Sequence, residues 1–463
     1  MFSKESYIAR REGLRRLMAT EKGIVVLPGN VESPMNYPSN CYHFRQDSTF
    51  LYLFGLNLPG LCGVIDLDQG TETIFGDDLS MDDIIWTGPQ PSVAELAARA
   101  GVNRAQPLKE LAATVADAAR KGRRVHFLPP YRAKTAIQLA ELLNVRLDGL
   151  KGGESVELAL AVVELRSVKS AEELEQLEDA ARIGYAMHAA AMRMCRPGGT
   201  EAEIAGEIEG IAMKMGAGTS FASIVSQNGE TLHNHSHYQQ LAEGRLLLVD
   251  AGAENAMNYC SDYTRTLPVG GRFSAMQREI YQIVLDANNL GQKLAAPGRL
   301  YRDVHLAAMH AIVDGLKALG LMRGDTQEAV AAGAHALFMP HGLGHMMGLD
   351  VHDMENIGEK YVGYDRETQR STQQGLASLR MGRRLGEGMT MTVEPGIYFI
   401  PAYIAKWRAE GRCAEFIDFA ALERYADFGG IRIEDNIAIT SDGCRLIGKR
   451  LPATIAEIEE FMA

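Results

Sequence analysis

Between residues 22 and 165 short apolar runs alternate with amphipathic stretches. Gly23–Pro28, Phe50–Phe54, Gly63–Leu67 and Arg124–Leu128 read as strands, and Ser92–Ala100 and Lys109–Ala119 as helices. The turn residues Asp68-Gln69-Gly70 between Val64–Asp66 and Thr73–Phe75 mark a hairpin. Ahead of this region, Met1–Thr20 is charged throughout and fits an amphipathic helix with Tyr7, Ile8, Leu14 and Leu17 on one side. A long helical pattern opens at Arg166–Gly184, where Ser170 can cap and Glu172, Glu173 and Glu175 suit a helix N-terminus. A second covers Ala275–Leu294 and stops at Pro297-Gly298. Helices and β-runs then alternate to the C-terminus. Two polar stretches, 353–388 and 400–428, interrupt the pattern as loop-like insertions suited to a helical arm or a subunit contact. The whole predicts an α/β domain over 1–165 and an α+β domain over 166–463, since 463 residues exceed one ordinary core.

Composition narrows the function classes. A net charge of −12 argues against nucleic-acid binding, which needs a basic field. No run approaches the roughly eighteen apolar residues of a membrane span, and the N-terminal segment lacks the apolar core of a secretory signal. The six cysteines are scattered without a Cys-x-x-Cys pair, which fits free thiols in a reducing cytosol. The expectation is a cytoplasmic protein with neither membrane nor nucleic-acid partner.

The chemistry sits in four segments. In Arg245–Val269, strand-like Leu246–Ala251 and Tyr259–Leu267 flank a turn near Asn255-Ala256, which sets Asp250 roughly opposite Asp262. Like charges on facing strands are destabilising unless a cation lies between them. In Phe338–Asp353, His341, His345 and His352 lie among glycines that disfavour a helix and let backbone approach a ligand closely. In Met389–Tyr398, Thr390, Thr392 and Glu394 share one strand face, and Pro395-Gly396 stops the strand. Ile431–Thr440 repeats the alternation, with Ile431 and Ile433 on one face and Arg432 and Glu434 on the other; each strand alone would favour an exposed face. Taken together, Asp250, Asp262, His345, Glu394 and Glu434 are too acidic to gather without metal. Two divalent ions would neutralise them, and the oxygen-rich set suits Mn2+ or a similar borderline ion, with Zn2+, Co2+ and Fe2+ as alternatives. Paired ions can also supply a bridging hydroxide for hydrolysis.

In this order the five residues match the metal ligands of the pita-bread metallopeptidases: methionine aminopeptidase, aminopeptidase P and prolidase. The motifs are LLLVDAGA, SDYTRTLPV, HGLGHMMGLDVHD, TVEPGIY and GIRIEDN. His43–Gly70 resembles the creatinase-like N-terminal domain of prolidase and aminopeptidase P, which methionine aminopeptidase lacks. The resemblance implies a creatinase-like α/β domain followed by a pita-bread catalytic domain, and hydrolysis before proline. The prolidase-like stretches FMPHGLGHMMGLDVHD, TVEPGIYFIPA and LASLRMGRRL favour Xaa-Pro dipeptides as substrates; the alternative is an aminopeptidase P acting on longer Xaa-Pro peptides. A non-catalytic binding protein on the same fold is a different class, disfavoured by the intact ligand set.

Among the site residues, Glu394 is the expected proton shuttle, being a ligand within reach of the nucleophile. By resemblance His352 donates to the substrate carbonyl oxygen, His233 lies near the proline pocket, His341 lines the same cleft, and Arg380 binds a dipeptide's carboxylate. Arg432 is expected on the substrate-binding side with Arg380 and to orient Glu434 or Asp262. His235 and His237 have no counterpart and are expected at the surface. Relatives of this type also imply a homodimer.

Overall fold

The computed structural model describes all 463 residues as two compact units, Met1–Arg166 with Met354–Tyr361, and Ser167–Asp353 with Val362–Ala463. In the first unit five strands, β1 (Ile24–Pro28), β2 (Cys62–Asp66), β3 (Thr71–Phe75), β4 (Ala105–Gln106) and β5 (Val125–His126), form one sheet in the order β4-β3-β2-β1-β5. The hairpin forms as expected, β2 and β3 pairing antiparallel from Asp66↔Thr71. Ile24, Val26, Cys62, Val64 and Phe75 of the sheet pack with Leu111, Val115 and Leu139 of the covering helices.

Two expectations for this unit fail for physical reasons. Phe50–Phe54 is not a strand but part of the helix Ser48–Phe54. Asp47 caps it by accepting from the Phe50 N–H, and Gly55 at φ 68° ends it in the left-handed region. All seven residues are buried, so the helix has no polar face and shows no period to distinguish it from a core strand. In the N-terminal helix Lys4–Leu17, Tyr7 and Leu14 are buried as expected, but Leu17 at the last turn is exposed.

The second unit carries ten strands: β6 (Gly218–Thr219), β7 (Ile224–Ser226), β8 (Leu246–Ala251), β9 (Ala253–Glu254), β10 (Tyr263–Pro268), β11 (Thr390–Val393), β12 (Gly396–Tyr398), β13 (Gly430–Arg432), β14 (Asp435–Ile439) and β15 (Cys444–Leu446). They form the sheets β10-β8-β7, β11-β14-β15, β12-β13 and β6-β9. Long helices pack in pairs beside them, Ala171–Met194 with Glu201–Met215 and Ala275–Leu294 with Tyr301–Ala318. Ser170 and Ser274 close reciprocal capping boxes with Glu173 and Gln277.

The strand expected over Ile431–Thr440 is split. β13 pairs with β12 and β14 with β11, so both chains change sheet at the same level, at Glu394-Pro395 and Ile433-Glu434. Proline cannot donate to a ladder, which breaks the pairing at Pro395; across the break the Ile433 N–H still donates to the Pro395 carbonyl at 3.2 Å, while the Glu434 N–H turns to the Thr264 carbonyl. Every residue of β8, β10, β11 and β14 is buried, and of the two glutamates at the breaks Glu434 is buried and Glu394 half-buried, so neither lies on an exposed face. In the expected insertions, Glu355–Val362 is helical with a break at Gly358, and Pro401–Glu410 forms a helix whose Trp407 is fully buried.

Candidate active site

Strand register brings the acidic residues together, two positions away from the expected pairing. Asp250 on β8 faces Thr264 of β10, not Asp262. Asp262 precedes β10, and Gly252 permits the tight return: a Cβ there would lie 1.8 Å from the Ser261 carbonyl. A shift of two keeps both carboxylates on one sheet face.

His345 is fixed by its neighbours. Its backbone N–H donates to Thr392 Oγ1 at 3.1 Å, and its Nδ1 donates to the Met346 carbonyl at 3.0 Å, which leaves Nε2 as the free lone pair. That nitrogen lies 3.3 Å from Asp262 Oδ2 and 3.7 Å from Glu394 Oε1. Glu394 and Glu434 enter from the paired strand breaks. The Glu434 N–H donates to the Thr264 carbonyl, and Glu434 Oε2 accepts from Thr264 Oγ1 at 2.7 Å. Ligand atoms of Asp262, His345 and Glu434 all lie within 4.8 Å of one another.

The electrostatics of this cluster need a cation. Burial, and then neighbouring carboxylates, push Asp262 and Glu434 well above the carboxylate range. Burial also raises Glu394 to about 7, against the attraction of His345 and Arg432. Asp250 Oδ1, Asp262 Oδ1 and Glu434 Oε1 are buried oxygens without a hydrogen-bond partner. Unpaired buried acceptors are rare in folded proteins, and here they converge with an imidazole lone pair and no thiolate. This donor set fits divalent ions of hard to borderline character, and a buried dinuclear metal-binding site is present.

The remaining predicted residues surround a cavity of about 430 Å³ beside the cluster, lined by His233, His341, His352, Arg380 and Arg432 with apolar Phe221, Ile224, Leu232 and Val351. The His352 ring packs edge-on to His345, centroids 4.2 Å apart. His341 donates from Nδ1 to the Gly342 carbonyl and accepts at Nε2 from the Tyr398 hydroxyl, both at 2.8 Å. Burial and the nearby Arg432 push it down to about 3, so it is neutral. Arg432 differs from expectation: its guanidinium binds Asp250 Oδ2 at 2.5 Å, Thr264 Oγ1 at 3.1 Å and Tyr398 Oη at 2.9 Å, and Thr264 rather than Arg432 holds Glu434. His235 is exposed, as expected, and also lines the cavity mouth, stacked on His233 with centroids 6.4 Å apart. His237 instead bonds the Val225 carbonyl through Nδ1. Sequence reasoning missed Thr264 and Tyr398 as supports, although both stand within the motif strands.

Comparison with known proteins agrees with this geometry. The family model described as "Metallopeptidase family M24" matches residues 175–441, and "Aminopeptidase P, N-terminal domain" matches residues 7–126. The chain is 32% identical over 465 residues to a Xaa-Pro dipeptidase of Homo sapiens, covering 98% of this chain and 91% of that protein. It is 32% identical to a probable Xaa-Pro aminopeptidase of Fusarium vanettenii over 97% of this chain and 93% of the other. The solved structure of aminopeptidase P from E. coli with the inhibitor Pro-Leu superposes with a TM-score of 0.80 at 29% identity, covering 100% and 98% of the two chains. With its creatinase-like N-terminal domain and pita-bread catalytic domain, the chain is a metal-dependent peptidase and belongs to the aminopeptidase P/Xaa-Pro group of metallopeptidase family M24.

Proposed function

We propose that this peptidase removes the N-terminal residue from peptides whose second residue is proline. The observation that carries the reading is the buried cluster of Asp250, Asp262, His345, Glu394 and Glu434 opening on a cavity with an apolar wall of Phe221, Ile224, Leu232 and Val351. That wall suits a pyrrolidine ring. The comparisons support the longer-peptide reading through the many relatives and solved structures named as aminopeptidases.

Asp250, Asp262, His345, Glu394 and Glu434 would hold two divalent ions, Mn2+ being the proposed pair because oxygen donors dominate. When bound, such ions polarise the scissile carbonyl and activate water at neutral pH. Glu394 receives the proton of the attacking water and passes it to the leaving proline nitrogen, a role suited to a carboxylate that lines the cavity beside the cluster. His352 donates to the carbonyl oxygen as charge develops there. Neutral His341 lines the cleft beside Glu394, 3.7 Å away. His233, which lines the cavity, would stand by the proline ring.

Arg380 favours a second reading, in which Xaa-Pro dipeptides are preferred. A guanidinium facing the cavity can pair bidentately with a free carboxylate. Rates on Xaa-Pro and Xaa-Pro-Xaa, measured side by side with metal analysis, test both. Faster tripeptides support the aminopeptidase, faster dipeptides the second reading, and a metal-loaded protein inert to both would mark a binding protein.

We further propose a cytoplasmic homodimer. No helix is long and apolar enough to cross a membrane. The short helix Met81–Thr87 buries none of its residues and displays Ile85 and Trp86, the latter 86% exposed. Sedimentation of the wild type and of Trp86→Ala, with cell fractionation, tests this; a monomeric wild type rejects it.

A further inference from the structure

We propose that Lys169 and Asp353 are positioning residues for His352. The proposal rests on the reading of His352 as the donor to the substrate carbonyl.

Lys169 Nζ lies 3.0 Å from Asp353 Oδ2, and each side chain is 1% exposed. Asp353 follows His352 directly and organises the turn that carries it. Its Oδ1 accepts from the Asp350 N–H at 3.2 Å, and its own N–H donates to the Met346 carbonyl at 3.0 Å. Gly348 leaves the room this needs, because a Cβ there would lie 2.4 Å from Asp353 Oδ2. The turn Gly348–Asp353 is therefore wrapped around one carboxylate, and two of its members, Val351 and His352, line the cavity.

Lys169 comes from far away in sequence, just ahead of the helix Ala171–Met194, with its N–H on the Gly388 carbonyl at 2.9 Å. The two residues mark the places where the chain passes between its compact units. The catalytic unit begins at Ser167, and Asp353 is its last residue before Met354–Tyr361 joins the other. Arg383 reinforces the same points, donating to Ser167 Oγ at 2.6 Å and to the carbonyl of Val362, where the chain returns. A buried ion pair is a weak source of stability, since apolar packing of similar volume serves as well. Its distinctive capacity is fixed direction, and here it fixes the residue beside a ring packed on the ligand His345.

The test is a double-mutant cycle on Lys169→Met and His352→Ala in the full-length, metal-loaded protein, with a proline-second tripeptide as substrate. Lys169→Met should lower kcat by about 10–100-fold, as loss of a supporting partner does elsewhere, with unchanged metal stoichiometry and KM within about threefold. In the His352→Ala background the same change should cost less than about twofold, because the residue it acts through is gone. Lys169→Arg should recover most of kcat. Should Lys169→Met not fold, Asp353→Asn enters the same cycle. Losses that multiply on the two backgrounds, or a fall in activity that follows metal loss, would overturn the proposal. A wild-type kcat for His352→Ala would instead reject the role of His352 itself.

Discussion

Glu434 and Asp435 are adjacent and both buried, yet they live in opposite electrostatic worlds. Asp435, opening β14, faces Arg265 Nη2 at 2.6 Å, Arg450 Nη2 at 3.2 Å and Gln292 Nε2 at 2.9 Å. Burial acts to raise it, but the two guanidinium groups outweigh burial and hold it below the usual carboxylate range. Glu434 turns the other way, toward Asp262, Glu394 and Asp250, and the same burial drives it far up. The rear face is neutralised by the chain's own arginines. On the front face one guanidinium, Arg432 on Asp250, and the His345 imidazole are set against four carboxylates. The lesson is that this protein can pair buried acids when it needs structure, and leaves them in surplus where ions belong.

The sharpest way to break the comparison is on the front face. Glu394→Gln should leave the fold intact and lower kcat by about 10²–10⁴-fold, the range expected for a lost acid–base group. Steady-state rates with metal content measured alongside decide this; wild-type turnover in a metal-bound variant would remove Glu394 from proton transfer. On the rear face Asp435→Asn should act on stability, stranding buried Arg265 and costing about 3–5 kcal/mol in urea titration. A loss of activity without destabilisation would blur the two faces.

Acid–base behaviour gives a third contrast. Glu394 has a folded pKa of about 7 against 4.5 for the free group, so below pH 7 the folded metal-free form binds more protons than the unfolded chain. Its contribution to stability is full below pH 4.5 and is lost as pH rises through 7. Asp262 and Glu434 act in the same direction. Asp435 runs oppositely, its contribution being lost only as pH falls below its unfolded value of 3.8. Chelated protein should therefore melt higher at pH 5.5 than at pH 7.5, and restored divalent ions should reverse the order, because they bind the deprotonated ligands. An unchanged order after chelation would count against a crowded acidic front. The smallest effect concerns substrate choice: Arg380→Ala should weaken dipeptides more than tripeptides by about tenfold in kcat/KM, the share of one charge-assisted pair. Equal losses would show that Arg380 binds no substrate carboxylate.

The ligands were legible because carboxylates are conspicuous inside apolar runs, and β8 and the helix Ala275–Leu294 have the bounds their patterns predict. What stayed hidden depends on distance or on ambiguity of period. The helix Ser48–Phe54 has no polar face to announce it. Pro395 announced the break beside Glu394, but the break at Glu434 arises from pairing between segments, and alternation persists across it. The position of His235 follows from the fold of its loop against the cavity. Lys169–Asp353 joins residues 184 apart, which no local pattern can report.

The coincident breaks also bear on the order of events in folding. Glu394 reaches the cluster only once β11 has found β14 and β12 has found β13, and Glu434 arrives by the same pairings from 184 residues beyond Asp250. Contacts of such long range form late, after most of the entropy of loop closure has been surrendered. Ions captured there cannot serve as a nucleus. They lock a structure already made, and interactions absent from the transition state slow unfolding without hastening folding. Metal in this protein is then a brake on its loss as well as a reagent, and a chelated sample should unfold faster while refolding at an unchanged rate.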